Sequence, residues 1–279
     1  MVSQTLNWFS AIQDTGVTSA AVPVKKHPTK LGSSVGLIFL SWTFIFFDFA
    51  ISITVLRVIP SKKESGNGVC NSPFESLKKI FAPVAWRGTE MMAISAQQTK
   101  IHVAIATWEW GSYFDPKLKV EGIKLNISNW RRPAPNTIPW DTKASGLYMI
   151  CTLSKHEAEK QGYTDSLMLD HEGNIAEATG ANVFFKDKNG EIHTPIPDSF
   201  LDGITRRTVI GIAKSKNIKV HERKISPTEL PNFVGCFLTG TAAEVTPVSC
   251  IAENQFKVCD TIIDLNESYQ ALVRKKKAA

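Results

Sequence analysis

The chain has 279 residues, 43% hydrophobic and 21% charged, enough for one large domain or two modest ones with separate cores. Its net charge of +6 gathers largely in Lys25, Lys26, Lys30 and the basic run 274–277, which reads as solvated surface and argues against a nucleic-acid partner. The five cysteines are scattered with no C-x-x-C pair and the first 20 residues carry no charged start followed by an apolar core, so a disulfide framework, a cysteine zinc site and a secretory signal are not expected, and the expected location is cytoplasmic.

In chain order, the first notable element is an apolar run from Val35 to Val58 whose only charges are Asp48 and Arg57. Its 24 residues fit either a bilayer span or a buried sheet rich in β-branched and aromatic residues. The prolines of RRPAPNTIPW (131–140) favour extended backbone, and the stretch reads as a linker between a small N-terminal domain (1–130) and a larger C-terminal one (141–279). Beyond it, Leu147, Ile150, Cys151, Ser154 and Ala158 recur at helical spacing and predict a helix from 145 to about 161, stopped by Gly162.

Residues 166–170 predict a short strand, and 181–194 a hairpin turning at Asn189-Gly190. A helix over 203–217 and a strand over 218–225 follow. Ser226 and Glu229 have the spacing of a capping box at the start of another helix. A buried strand over 236–241 ends in a glycine turn, and 260–275 predicts a closing helix. Interleaved strands and helices give an α+β class.

Few residues suggest chemistry on local grounds alone. Lys143 stands among the small residues Ala144, Ser145 and Gly146, where a lysine is either solvated or, if partly buried, nucleophilic toward a carbonyl. Glu177 follows a turn and precedes a hairpin strand, and its carboxylate faces either solvent or a pocket. Gly203-Ile204-Thr205 opens a helix and Thr239-Gly240-Thr241-Ala242 follows a strand, two turns whose N–H groups suit an anion. No two histidines fall at metal-ligand spacing, so no metal site is expected.

Taken together, EATGANVFF, IHT and LDGITR carry Glu177, Asn182, Phe184, Thr194, Leu201, Gly203, Ile204 and Arg206 at the spacings of a known pattern. With APNTIPWDTKASGLY and FLTGTAAEVTP, they make the chain from about Pro83 onward resemble the fold-type IV, class-IV aminotransferases that use pyridoxal phosphate, most closely the branched-chain amino acid aminotransferases. The resemblance implies a two-domain fold, a homodimer or larger assembly, and transfer of an amino group between leucine, isoleucine or valine and 2-oxoglutarate. It implies Lys143 as the Schiff-base lysine, Tyr148 on the cofactor's phenolic oxygen, Glu177 at the pyridine nitrogen and Leu201 on the ring face. Ile204, Thr205, Gly240 and Thr241 would hold the phosphate. Thr241 and Ala242 would receive the substrate carboxylate, and Trp110 and Tyr113 would line the side-chain pocket.

The N-terminal third departs from the pattern. Leu40 stands where the family has a phosphate-binding arginine, Ala82-Pro83 where it has Arg-Pro, and residues 36–75 are atypical. The resemblance favours sheet over membrane for the apolar run. Rival readings are a catalytically impaired relative, a D-amino acid transaminase and an aminodeoxychorismate lyase.

Overall fold

The computed structural model describes residues 52–53, 56–57 and 79–274, apart from 89, 92–93, 96, 110–112 and 116. All belong to the compact unit Gly36–Ala279. Leu40, Trp110 and nearly all of the apolar run lie outside the described residues. Among the described residues no helix is long and apolar enough to cross a membrane.

Two sheets organise this unit. The first is antiparallel: β3 (Lys79–Arg87) pairs along its whole length with β4 (Ile101–Glu109), and with the short strands β1 (Ser52–Ile53) and β2 (Leu56–Arg57). Ala82 is buried and pairs with Ala106, and Pro83 pairs with Ile105.

The second sheet holds the main core. Its strands are β5 (Ile123–Arg131), β6 (Asp165–Leu169), β7 (Ile175–Ala178), β8 (Asn182–Asp187), β9 (Ile192–Thr194), β10 (Val220–Glu222), β11 (Phe233–Gly240), β12 (Glu244–Ile251) and β13 (Asn254–Gln255). They run in the order β10-β9-β8-β11-β12-β5-β6-β7, with β13 on β12. A further pairing of β7 with β8, Glu177 opposite Asn182, closes β8, β11, β12, β5, β6 and β7 into a ring. Alternation along each strand sends successive side chains to opposite faces. On β8, Phe185 joins Leu125, Leu167, Val183, Leu238 and Val248 in one cluster, while Phe184 joins a second cluster.

That second cluster is covered by helices. After the short α1 (Leu118–Glu121) and α2 (Ser145–Lys160) come α3 (Ile204–Ser215) and α4 (Asp260–Val273). Val209, Ile210 and Ala213 of α3 and Ile262, Leu265 and Tyr269 of α4 pack with Phe184 and Phe237, whose rings stack with centroids 4.9 Å apart. Burying each such phenylalanine contributes on the order of 2 to 3 kcal/mol.

The helix expected from 145 to about 161 is α2, and the expected hairpin is β8–β9. The predicted capping box forms: Thr228 N donates to Ser226 Oγ and Ser226 N donates to Glu229 Oε1, opening a 3-10 helix, Pro227–Asn232. The strand expected over 218–225 is shorter, Val220–Glu222, with Arg223 N donating to Thr194 O just beyond it. The 131–140 stretch does not separate the two sheets. β5 before it and β6 after it are neighbours in the second sheet, and the change of sheet falls between Glu109 and Ile123.

Candidate active site

Where the ring closes, Glu177 on β7 lines an open cleft with room for about 80 Å³. The residue is 8% exposed, and burial pushes its carboxyl up to about 7, against the opposing pull of Arg132 and then Lys143. Arg132, just past the end of β5 and 4% exposed, brings Nε to 3.4 Å from Glu177 Oε1. The same guanidinium donates to Ser199 O, Leu147 O and Cys151 Sγ at 3.3 to 3.4 Å, which fixes it with almost no solvent contact. Asn182 serves the other carboxyl oxygen: its Nδ2 donates to Glu177 Oε2 at 3.4 Å and to Leu201 O at 2.9 Å, while its Oδ1 accepts from Gly203 N at 3.2 Å.

Lys143 lies just before α2, so the start of that helix sets its position. Its Nζ is 3.3 Å from the Tyr148 hydroxyl, one turn into α2, and 5.9 Å from the ring centroid. Both side chains line the cleft with Glu177. Gly146 is exposed, with open space where a Cβ would sit, so the chain's own packing places no limit on size there.

The far wall comes from the two predicted turns. Gly203, Ile204 and Thr205 lead into α3, whose first N–H groups have no partner in the helix ladder, and Thr239, Gly240 and Thr241 lie at the end of β11. At Gly203 a Cβ would meet Asn182 Oδ1 at 2.4 Å, so the turn needs glycine to approach that side chain. The Thr205 hydroxyl stands 3.4 Å from that of Tyr269 on α4. Thr239 Oγ1 is buried at the cleft wall with no protein partner.

The structure thus brings together Lys143, Tyr148, Glu177, Leu201, Ile204, Thr205, Gly240 and Thr241. Ala242 follows Thr241 but is not part of the cleft wall. Tyr113 is 40% exposed outside the lining, with its hydroxyl 3.9 Å from where a Cβ on Gly180 would sit. Trp110 lies outside the described residues. Sequence reasoning places Arg132 only in the linker, because its partner Glu177 is 45 residues away and reaches it through β6. Asn182 carries a pattern match in the sequence but no assigned contact.

The site therefore offers an amine beside a phenol, a buried carboxyl poised to share a proton, and a helix start with two small-residue turns suited to an anion. A family model described as amino-transferase class IV matches residues 69–251. A probable branched-chain-amino-acid aminotransferase of Rickettsia bellii is 38% identical over 199 residues, covering 69% of this chain and 66% of that protein. The branched-chain-amino-acid aminotransferase of Escherichia coli K12 is 41% identical over 150 residues, covering 53% and 48%. Among solved structures, the branched-chain aminotransferase of Thermoproteus uzoniensis with norvaline aligns at a TM-score of 0.67 and 32% identity, covering 73% of this chain and 68% of that one. The branched-chain amino acid aminotransferase of Thermobaculum terrenum in its PLP form aligns at 0.66 and 27% identity, covering 73% and 67%. The matched part spans about two thirds of the Rickettsia relative's length.

Proposed function

The chain belongs to the class-IV aminotransferases, and from that premise we propose that it transfers the amino group of leucine, isoleucine or valine to 2-oxoglutarate, with pyridoxal 5'-phosphate as cofactor. The observation that carries this reading is the convergence of Lys143, Tyr148 and Glu177 on one cleft walled by the start of α3 and the end of β11. The donor set fits the cofactor. A carboxyl pushed up to about 7 by burial, beside Arg132, matches a ring nitrogen with which it can share a proton, and the unpartnered Thr239 hydroxyl and the α3 start suit a phosphate.

Bound there, the cofactor supplies an electron-withdrawing ring that stabilises negative charge at the substrate Cα. In this reading Lys143 Nζ, held by the Tyr148 hydroxyl, removes and returns the Cα proton. Glu177 holds a proton at the ring nitrogen, and Arg132 with Asn182 keeps its carboxyl fixed. Leu201 would pack on the ring face, and the turns of Ile204, Thr205, Gly240 and Thr241 would hold the phosphate. By the resemblance, Thr241 with the adjacent Ala242 would receive the substrate carboxylate, and Tyr113 with Trp110 would serve the substrate side chain. An apolar pocket separates leucine from valine weakly, because one methylene is worth about 1 to 3 kcal/mol. We infer a homodimer or larger assembly in the cytoplasm.

Leu40 in place of the phosphate arginine favours a second reading, a relative that keeps the fold but holds the cofactor weakly. Titrating the purified chain with pyridoxal phosphate, following the cofactor absorbance and then its change on adding leucine, separates the two. Cofactor binding with a leucine response supports transamination; binding that fails at millimolar cofactor supports the impaired relative.

A further inference from the structure

Away from the cleft, on the edge of the second sheet, β10 pairs in parallel with β9 so that His221 lies opposite His193. Glu191 precedes His193 by two residues and therefore shares its face. The hairpin sets this up: Gly190 takes φ +86°, and Asp187 Oδ1 accepts from Asn189 N and Glu191 N, which fixes where Glu191 leaves the turn. The two imidazoles stack with centroids 4.7 Å apart, and His221 Nε2 lies 2.6 Å from Glu191 Oε2. One nitrogen from each histidine and one oxygen from Glu191 all lie within 4.8 Å of one another. No group of three metal-ligating side chains elsewhere among the described residues meets that condition.

We propose that Glu191, His193 and His221 form a binding site for a divalent transition-metal ion, of which Zn²⁺ is the natural occupant. Two imidazoles and a carboxylate are a borderline donor set that suits Zn²⁺, Ni²⁺ or Cu²⁺ over Ca²⁺ and Mg²⁺, which prefer all-oxygen shells. Ligand atoms around a tetrahedral Zn²⁺ stand about 3.3 Å apart and the metal lies in the plane of each imidazole, so the two stacked rings must turn about their side-chain bonds to face a common point. His193 Nε2 is buried, and the long contact to Asp187 Oδ2 satisfies it poorly, a cost that a metal bond would remove. Asp187 Oδ2, 3.5 Å from that nitrogen, adds negative charge, and water completes the shell.

Three contacts must yield. The 2.6 Å hydrogen bond between His221 Nε2 and Glu191 Oε2 would open to about 3.3 Å as both atoms turn to the metal. Lys219 Nζ sits 3.2 Å from Glu191 Oε1 and would swing to solvent, since its side chain is 66% exposed. Arg223 Nε donates to His193 Nδ1 at 3.2 Å, so binding at Nε2 moves the ring proton to Nδ1 and breaks that contact. Arg223 keeps its two bonds to Glu229 and one to Lys224 O. A metal here would pin β10 to β9, and β10 also carries Glu222, whose Oε2 accepts from the buried Arg206 of α3 at 2.9 Å.

Calorimetric titration of the chelator-stripped full chain with Zn²⁺ near neutral pH tests this, with Co²⁺ as a spectroscopic substitute. The expected result is one Zn²⁺ per chain, bound at least ~10-fold more weakly by His193→Gln and by His221→Gln, and a Co²⁺ spectrum lacking a thiolate charge-transfer band. No binding, unchanged affinity in the two variants, or a thiolate band pointing to cysteine would each overturn the proposal. His221, with 29% of its side chain exposed, is the safer variant for folding, and its circular dichroism spectrum checks that it has folded.

Discussion

Replacing Glu177 with glutamine removes the cleft carboxyl whose protonation burial shifts from about 4.5 to about 7. Between those two values the native carboxyl holds its proton while the unfolded one has lost it. The folded state therefore binds more protons, and stability falls as pH rises through that window. At 1.36 kcal/mol per pKa unit the loss amounts to roughly 3 kcal/mol, complete above pH 7. Glutamine also removes the carboxylate partner of the buried Arg132, and because glutamine does not titrate, the variant's own stability carries no pH dependence from this position. The informative quantity is accordingly the pH slope and not the absolute stability. Urea unfolding of cofactor-free wild type and Glu177→Gln across pH 5 to 8 is expected to give curves whose separation changes by about 3 kcal/mol across that range. Parallel curves would refute the upward shift and show that Arg132 fully offsets the burial of the Glu177 carboxyl.

Three further substitutions test the frame of the site. Arg206, 1% exposed, bonds Asp202, Glu222 and Pro195 O, so Arg206→Met is expected to lower unfolding stability by about 3 to 5 kcal/mol in urea melts, with part of the loss reversed in Arg206→Met/Glu222→Gln. Gly203→Ala drives a methyl into Asn182 Oδ1 and displaces the turn at the α3 start, and equilibrium dialysis should show pyridoxal phosphate affinity reduced about tenfold with little change in melting temperature. Tyr148→Phe removes the hydroxyl that Lys143 Nζ contacts at 3.3 Å, and turnover with leucine is expected to fall more than cofactor affinity does.

What the sequence reveals is local. The period of Leu147, Cys151, Ser154 and Ala158 sets the buried face of α2, and Asn189-Gly190 sets the β8–β9 turn, because both signals lie within a few residues of the structure they cause. Ser226 and Glu229 likewise cap the 3-10 helix at close range. Long-range pairing leaves no such trace. β12 escapes a sequence reading although its first five residues are buried, since its mixed run EVTPV has no clean alternation. The Arg132–Glu177 pair depends on β5, β6 and β7 lying side by side, and His193 meets His221 only because strands 28 residues apart pair in parallel. Of the site residues found from the family pattern, Lys143, Tyr148, Glu177, Leu201, Ile204, Thr205, Gly240 and Thr241 stand together in the cleft for the same topological reason, which no periodicity conveys.

The central claim is that Lys143 is the reacting amine of a pyridoxal-phosphate aminotransferase. Single-turnover absorbance of the cofactor-loaded wild type mixed with leucine, beside Lys143→Ala treated identically, tests it most directly. The expected result is a cofactor absorbance change and release of the branched 2-oxo acid in the wild type, with both lost in Lys143→Ala. An equal response from the two proteins, or none from a wild type shown to hold its cofactor, would contradict it.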